Sequence, residues 1–267
     1  MGYAPLLQPI LDIVEAHRAA QMLPTSARFI YYELIASGVL SKERKGVRRT
    51  DQDLIDGLTV LRERGEILWA DIEDETRELT NFVGHKTIKE AALESIKHAR
   101  LDAWHGNPPM IITESRSLTG VLRTLIYEYA ARIASTNGQC AGFLHNELAP
   151  ALKEGAPVLY LGDNDFSGGH IEANTRAVLE RKVGELAWKR LAVTDTQVTQ
   201  FSLTVIQKYD ARTKSHHDAV ETEALGQARI VDIVRRRLTR MLPEPLEDVR
   251  HGALHCETHS GSIREDE

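Results

Sequence analysis

Downstream of Gly106 the chain alternates short apolar runs with helical-period segments, and this alternation constrains the fold more than any other feature. MIIT (110–113), RIAS (132–135), VLYLG (158–162) and WKRLAVT (188–194) read as strands. SLTGVLRTLIYEYAA, GFLHNELAPALKEG and GGHIEANTRAVLERKVG read as the helical segments between them. Strands alternating with helices imply an α/β fold, a parallel sheet covered on both faces. A last long helix is expected over TEALGQARIVDIVRRRLTRML, stopped by Pro243.

Upstream the pattern differs. GNPP (Gly106–Pro109) is the clearest breaker cluster, and it divides residues 1–105 from a second domain over 106–245. Residues 246–267 form a polar tail that reads as disordered. In the first part, residues 1–21 read as a lead-in helix. TSARFIYYELIASGVL is a second helix, with Thr25 or Ser26 to cap it and Gly38 to end it. TDQDLIDGLTVLRERG is a third, with Thr50 as candidate cap and Leu54, Leu58 and Leu61 at helical spacing. Ile67, Trp69 and Ile72 then mark a short strand, and a connecting helix is expected over 81–105. Helix, turn, helix, strand is the order of a winged-helix module, whose second helix commonly enters the DNA major groove. Between the second and third helices, SKERKGVRR carries Lys42, Arg44, Lys45, Arg48 and Arg49 against Glu43. Such a run is either a solvated loop or a phosphate-binding patch.

Bulk properties exclude several classes. The 267 residues, 42% hydrophobic and 27% charged, suit one large or two small globular domains. The absence of an apolar run long enough for a bilayer argues against a membrane protein. The N-terminus lacks the basic segment and small-residue cleavage site of a signal peptide. Cys140 and Cys256, far apart, make neither a disulfide framework nor a zinc-finger pattern, which fits a reducing, cytoplasmic setting. A net charge of −6 argues against coating nucleic acid through bulk electrostatics.

The chemistry-bearing residues gather at predicted strand ends. Glu114 follows the first strand of the second domain, and Asp163 and Asp165 follow the third, in VLYLGDNDFSGGHI. In open parallel sheets functional groups collect at the carboxyl ends of strands. Three neighbouring carboxylates repel, so such a cluster calls for a cation. Oxygen ligands favour Mg²⁺ or Mn²⁺, which could stabilise charge on a phosphodiester during cleavage. GDND can also be a plain turn. Ser167, Gly168 and Gly169 open a helix whose free N–H groups suit an anion. Neither GxxxxGK[ST] nor GxGxxG occurs. Glu172 faces either the metal or the surface, and His170 either phosphate or solvent. Arg116 or Ser117 could approach a phosphate or simply belong to a helix cap. His216 and His217 read as loop residues. His251, His255, Cys256 and His259 have loosely metal-like spacing within the polar tail.

Glutamate after one strand and D-x-D with a nearby glycine after another resembles the Toprim domain of topoisomerases, primases and some nucleases. GDNDFSGGHI is most similar to the version in the topoisomerase VI A subunit and its meiotic double-strand-break relatives, roughly D-x-D-P-x-G. The resemblance implies that Glu114, Asp163 and Asp165 bind metal, with Phe166 in place of the usual proline. ETEAL (221–225) resembles a late acidic segment of related domains, which makes Glu223 a possible accessory.

ARFIYYEL resembles the R-D/E-x-Y/F-Y segment of the same family's winged-helix domain. That resemblance implies Arg28 as the motif arginine, Tyr31 at the variable aromatic position and Tyr32 as the nucleophile that forms a phosphotyrosyl bond to DNA. Phe29 departs from the acidic residue usual there. Tyr31 and Tyr32 can equally be packing residues of a helix. A free tyrosine hydroxyl, with a pKa of about 10, needs a nearby cation to ionise. The resemblance implies a minimal A-subunit-like protein that acts as a homodimer, with Tyr32 of one chain facing the acidic cluster of the other. It also implies that strand passage would need a separate ATPase partner subunit. Two alternatives stand beside it: a hydrolytic Toprim nuclease in which Tyr32 only packs, and a catalytically inactive winged-helix DNA-binding regulator.

Overall fold

The computed structural model describes residues 3–41, 51–73, 85–98, 102–137, 141–210 and 214–247. Lys42, Arg44, Lys45, Arg48, Arg49, Thr50, both cysteines and the tail histidines lie outside the described residues.

The first part is helical. α1 (Leu7–Ala19) is followed by β1 (Thr25–Ser26) and α2 (Ala27–Ala36). Ser26 caps α2, its Oγ accepting from Phe29 N at 3.3 Å. α3 (Gln52–Glu63) buries Leu54, Leu58 and Leu61 against Leu6, Ile10 and Val14 and against Ile30 and Leu34 of α2. β2 (Ile72–Glu73) pairs in parallel with β1. The strand expected from Ile67 shrinks to these two residues, because Trp69–Asp71 is a 3-10 turn. Side chains take the backbone groups that a ladder would have used. Arg62 donates to the carbonyls of Trp69 and Ile72 at 3.0 and 2.9 Å, and Asp71 accepts from Leu68 N at 2.9 Å. α4 (Ile88–His98) is shorter than the connecting helix expected over 81–105. Asp102 folds the chain into a turn by accepting from Trp104 N at 2.9 Å and from Gly106 N.

The second part is the expected α/β unit. Its elements are β3 (Met110–Thr113), α5 (Arg116–Glu128), β4 (Arg132–Ser135), α6 (Ala141–Phe143), β5 (Pro157–Leu161), α7 (Phe166–Val183) and β6 (Ala187–Ala192). α6 runs into a π turn and a 3-10 turn instead of one continuous helix. The four strands form a parallel sheet in the order β4-β3-β5-β6. Alternate residues serve opposite faces. Ile111, Leu159 and Leu161 pack with Leu118, Leu122 and Leu125 of α5. Met110, Ile112, Val158 and Tyr160 pack with Leu144, Leu148 and Leu179 on the other side.

After β6 the chain departs from expectation. α8 (Asp195–Gln200) is followed by an antiparallel hairpin, β7 (Ile206–Asp210) and β8 (Ser215–Ala219). His216 and His217 therefore lie in a strand and not in a loop. The expected last helix is broken: Thr222–Leu225 is a 3-10 turn, Gly226 takes φ +77°, and only then does α9 (Gln227–Met241) begin. α9 lays Ile230, Val234 and Leu238 on the α5 face of the sheet. No helix among the described residues is long and apolar enough to cross a membrane.

Phe29 joins the two parts. It sits on α2, yet it is fully buried in the core built by α5 and α9. The position that is acidic in the resembled family is here an apolar anchor. Gln227 adds hydrogen bonds to the carbonyls of Met22 and Pro24, and Arg123 pairs with Glu73 at 3.0 Å. Phe29→Ala is expected to cost about 3–5 kcal/mol through lost burial and the cavity left behind, measured by urea unfolding of the full chain.

Candidate active site

β3 has β4 on one side and β5 on the other, and α5 and α7 leave towards opposite faces. This is the switch point of the sheet, where a crevice opens beyond the carboxyl ends of the strands. Glu114 follows β3, and Asp163 and Asp165 follow β5. The structure brings all three together. Glu114 N continues the ladder to Leu161 O at 2.9 Å, and Glu114 Oε2 accepts from Asp163 N at 3.2 Å.

Two glycines permit this approach. A Cβ on Gly162 would lie 2.6 Å from the Tyr160 ring and 3.0 Å from Glu114 Oε2. A Cβ on Gly168 would run into the Asp163 carbonyl oxygen. Asp165 caps α7, its Oδ1 accepting from Gly168 N at 2.6 Å. Phe166 is the first residue of that helix, a position where proline is also favoured. That accounts for the exchange at this point of the resembled motif. The Phe166 ring meets His170 edge-on at 4.6 Å and stacks on His217 at 5.7 Å. Asn164 pairs with Val220 through both backbone bonds, at 2.8 and 3.0 Å, and so joins the end of the hairpin to this loop.

Several residues that sequence reasoning missed complete the site. Lys208 Nζ lies 2.8 Å from Asp165 Oδ2, 3.4 Å from Asp163 Oδ2 and 3.5 Å from Glu221 Oε1. Asp163 Oδ1 accepts from the Thr222 amide and hydroxyl at 3.0 and 3.1 Å. Arg190 donates to the carbonyls of Gly162 and Asp163 at 2.9 and 2.7 Å and pairs with Glu172. Glu172 also accepts from Trp188 Nε1 at 2.9 Å, so it belongs to β6 neighbours and not to the open surface. The signal for Lys208 was slight, an inward position in the alternating segment IQKYD. Glu221 was half visible, since it opens the acidic ETEAL segment.

Arg28 lies at this site, bridging Glu221 and Glu223, each at 2.8 Å. Glu223 is fully buried and also accepts from Ser117 Oγ at 2.5 Å. Ser117 thus serves Glu223, Ser115 is the α5 cap, and Arg116 is exposed. Tyr32 lies one turn after Arg28 on α2, 8% exposed within the N-terminal hydrophobic cluster. Tyr31 is buried beside it, the two rings meeting edge to face at 5.6 Å.

The electrostatics follow from this crowding. Burial and the Asp163 charge push Glu114 up to about 7. Burial opposes the Asp165 charge, but hydrogen bonds from Lys208 and Gly168 N prevail and hold it below the usual aspartate value. Burial also opposes the Lys208 charge, and Asp165 and Asp163 nevertheless hold it above the usual lysine value. Burial raises Glu221, with Arg28 pulling the other way. The donor set is all oxygen and anionic, which suits a hard divalent ion. Among the described residues, however, no three such side chains converge on one cation position. Glu114 Oε2 is turned onto the Asp163 amide, and Lys208 engages the Asp163 and Asp165 oxygens.

No family model, curated protein or solved structure matches this chain.

Arg28 and Glu223 should be energetically coupled, since removing the guanidinium leaves a buried carboxylate without its cation. A double-mutant cycle of Arg28→Met and Glu223→Gln is expected to give a coupling of about 0.5–3 kcal/mol. Urea unfolding of the four proteins measures it, and a coupling near zero would show that Ser117 alone satisfies Glu223.

Proposed function

We propose that this protein binds DNA and cleaves it with the help of a divalent metal, in the manner of the topoisomerase VI A subunit. Its first part would be a winged-helix domain and its second a Toprim domain, acting in the cytoplasm. The observation that carries the reading is that Glu114, Asp163 and Asp165 lie side by side at the β3–β5 switch point, Glu114 on the Asp163 amide and Lys208 between the two aspartates.

Glu114, Asp163 and Asp165 would hold Mg²⁺ or Mn²⁺. Such an ion, when bound, supplies Lewis-acid stabilisation of charge on a phosphodiester. Arg190 clamps the carbonyls of the loop that presents the aspartates, and Thr222 orients Asp163 through Oδ1. Lys42, Arg44, Lys45, Arg48 and Arg49 would contact backbone phosphates and set the register of the duplex. The Tyr32 hydroxyl would attack phosphorus, giving up its proton. A new O–P bond to tyrosine forms as the P–O bond to one sugar breaks, and the departing sugar oxygen takes a proton. Covalent attachment keeps the phosphodiester energy available for resealing. In this reading the working form is a homodimer in which Tyr32 serves the partner's carboxylates, and strand passage needs a separate ATPase subunit.

A second reading keeps the carboxylates and replaces the tyrosine by water. The burial of Tyr32 in a hydrophobic cluster favours it, since only 8% of the residue is exposed. One assay separates the two: supercoiled plasmid with Mg²⁺ or Mn²⁺, quenched in detergent, with and without protease. Protein-linked breaks lost in both Tyr32→Phe and Asp163→Ala are expected from the tyrosine mechanism. Free-ended breaks lost only in Asp163→Ala mark hydrolysis. Intact plasmid under either metal, with DNA binding retained, would leave a DNA-binding regulator or an A-like subunit that acts only with its partner.

A further inference from the structure

Lys208 occupies the space between the carboxylates that the metal reading above would give to an ion. Its ammonium touches Asp165 at 2.8 Å, Asp163 at 3.4 Å and Glu221 at 3.5 Å, drawing together carboxylates from the loop after β5 and the segment after β8. A magnesium ion binds oxygens at about 2.0–2.1 Å, so an ion held by Asp163 and Asp165 would compete with this ammonium for the same oxygens. Resting on the metal reading above, we infer that Lys208 is a resident counter-cation, and that divalent metal and the docked β7–β8 hairpin exclude one another.

The β7–β8 hairpin takes no place in the main sheet and forms a two-stranded sheet of its own. Such hairpins are marginal in isolation. Lys208 is paired in register with His217, whose ring stacks on Phe166. The chain is pinned further along, where Val220 bonds to Asn164 and Thr222 holds Asp163 Oδ1. At its other end the hairpin is anchored by Leu203 in the core, so the segment bearing Lys208 can move between Leu203 and Val220 while Asp163 stays oriented. The Lys208 side chain is 40% exposed, so it already has a route to solvent. Lys208 thus lowers metal affinity, because part of the binding energy must undock it.

The test titrates Mn²⁺ alone into the full-length wild type, Lys208→Met and Lys208→Arg, counting free ion by electron paramagnetic resonance. A docked state that dominates tenfold reduces apparent affinity about tenfold, in proportion to the competent fraction. Lys208→Met is therefore expected to bind Mn²⁺ about tenfold more tightly than wild type, and Lys208→Arg to stay close to wild type. Hydrogen exchange supplies an arm that needs no variant: saturating Mn²⁺ should speed exchange at the amides of Ile206–Asp210 in the wild-type protein. Equal or weaker Mn²⁺ binding by Lys208→Met, with hairpin exchange unmoved in wild type, would overturn the inference and leave the metal site standing. Failure of both wild type and Lys208→Met to take up Mn²⁺ would overturn the metal reading itself.

Discussion

Carboxylate repulsion at one edge of the sheet governs how the rest of the molecule is arranged. Glu114, Asp163 and Asp165 leave strand ends, and Glu221 and Glu223 close in from the segment after β8. Two unit charges about 4 Å apart interact by roughly 4 kcal/mol near a protein surface, so five such groups require compensation. Arg190, the cation that β6 brings here, is occupied by Glu172 and two backbone carbonyls. The compensating charges come from elsewhere: Arg28 from α2 and Lys208 from β7. Docking of the helical unit and of the hairpin is thus tied to the acidic edge.

The junction between the two parts shows how closely the sequence encodes that docking. Arg28 and Phe29 are adjacent, and consecutive helical residues point about 100° apart. One direction leads to Glu221 and Glu223, and the other into the core between α5 and α9. An acidic residue at Phe29 would bury an unpaired charge in that core. The departure from the resembled motif is therefore a packing requirement in this chain. Ser26 caps α2 and aligns both residues at once.

Much of this was legible in sequence wherever burial writes a clear pattern. The central strands β3 and β5 announce themselves as apolar runs, and the carboxylates at their ends follow from topology. The β7–β8 hairpin was illegible because IQKYD and SHHDA alternate half-buried and exposed residues with almost no apolar signal. With it went Lys208, whose environment is made by contacts more than 40 residues away in the chain. The break before α9 was readable in principle, since Gly226 sits about one turn into the expected helix. The strand at Ile67–Ile72 failed for another reason: Arg62 and Asp71 satisfy its backbone groups locally, which no period-2 pattern reveals.

Glu221 is where the two cationic arms meet, since one oxygen faces Lys208 and the other Arg28. Lys208 departing would remove one of the cations at Glu221, and Arg28 is itself divided between Glu221 and the buried Glu223. The carboxylates that Lys208 meets are thus linked through Glu221 to Arg28 on α2, one turn before Tyr32. Tyr32, 8% exposed, belongs to the cluster that holds Ile30, Leu34 and the leucines of α3. Among the described residues, α2 is tethered by the Arg28 bridge and by Glu33, which meets His17 at 2.9 Å. In the proposed reading, metal binding, hairpin docking and access to Tyr32 would draw on one shared set of ion pairs, and a hydrolytic mechanism would need only the first two.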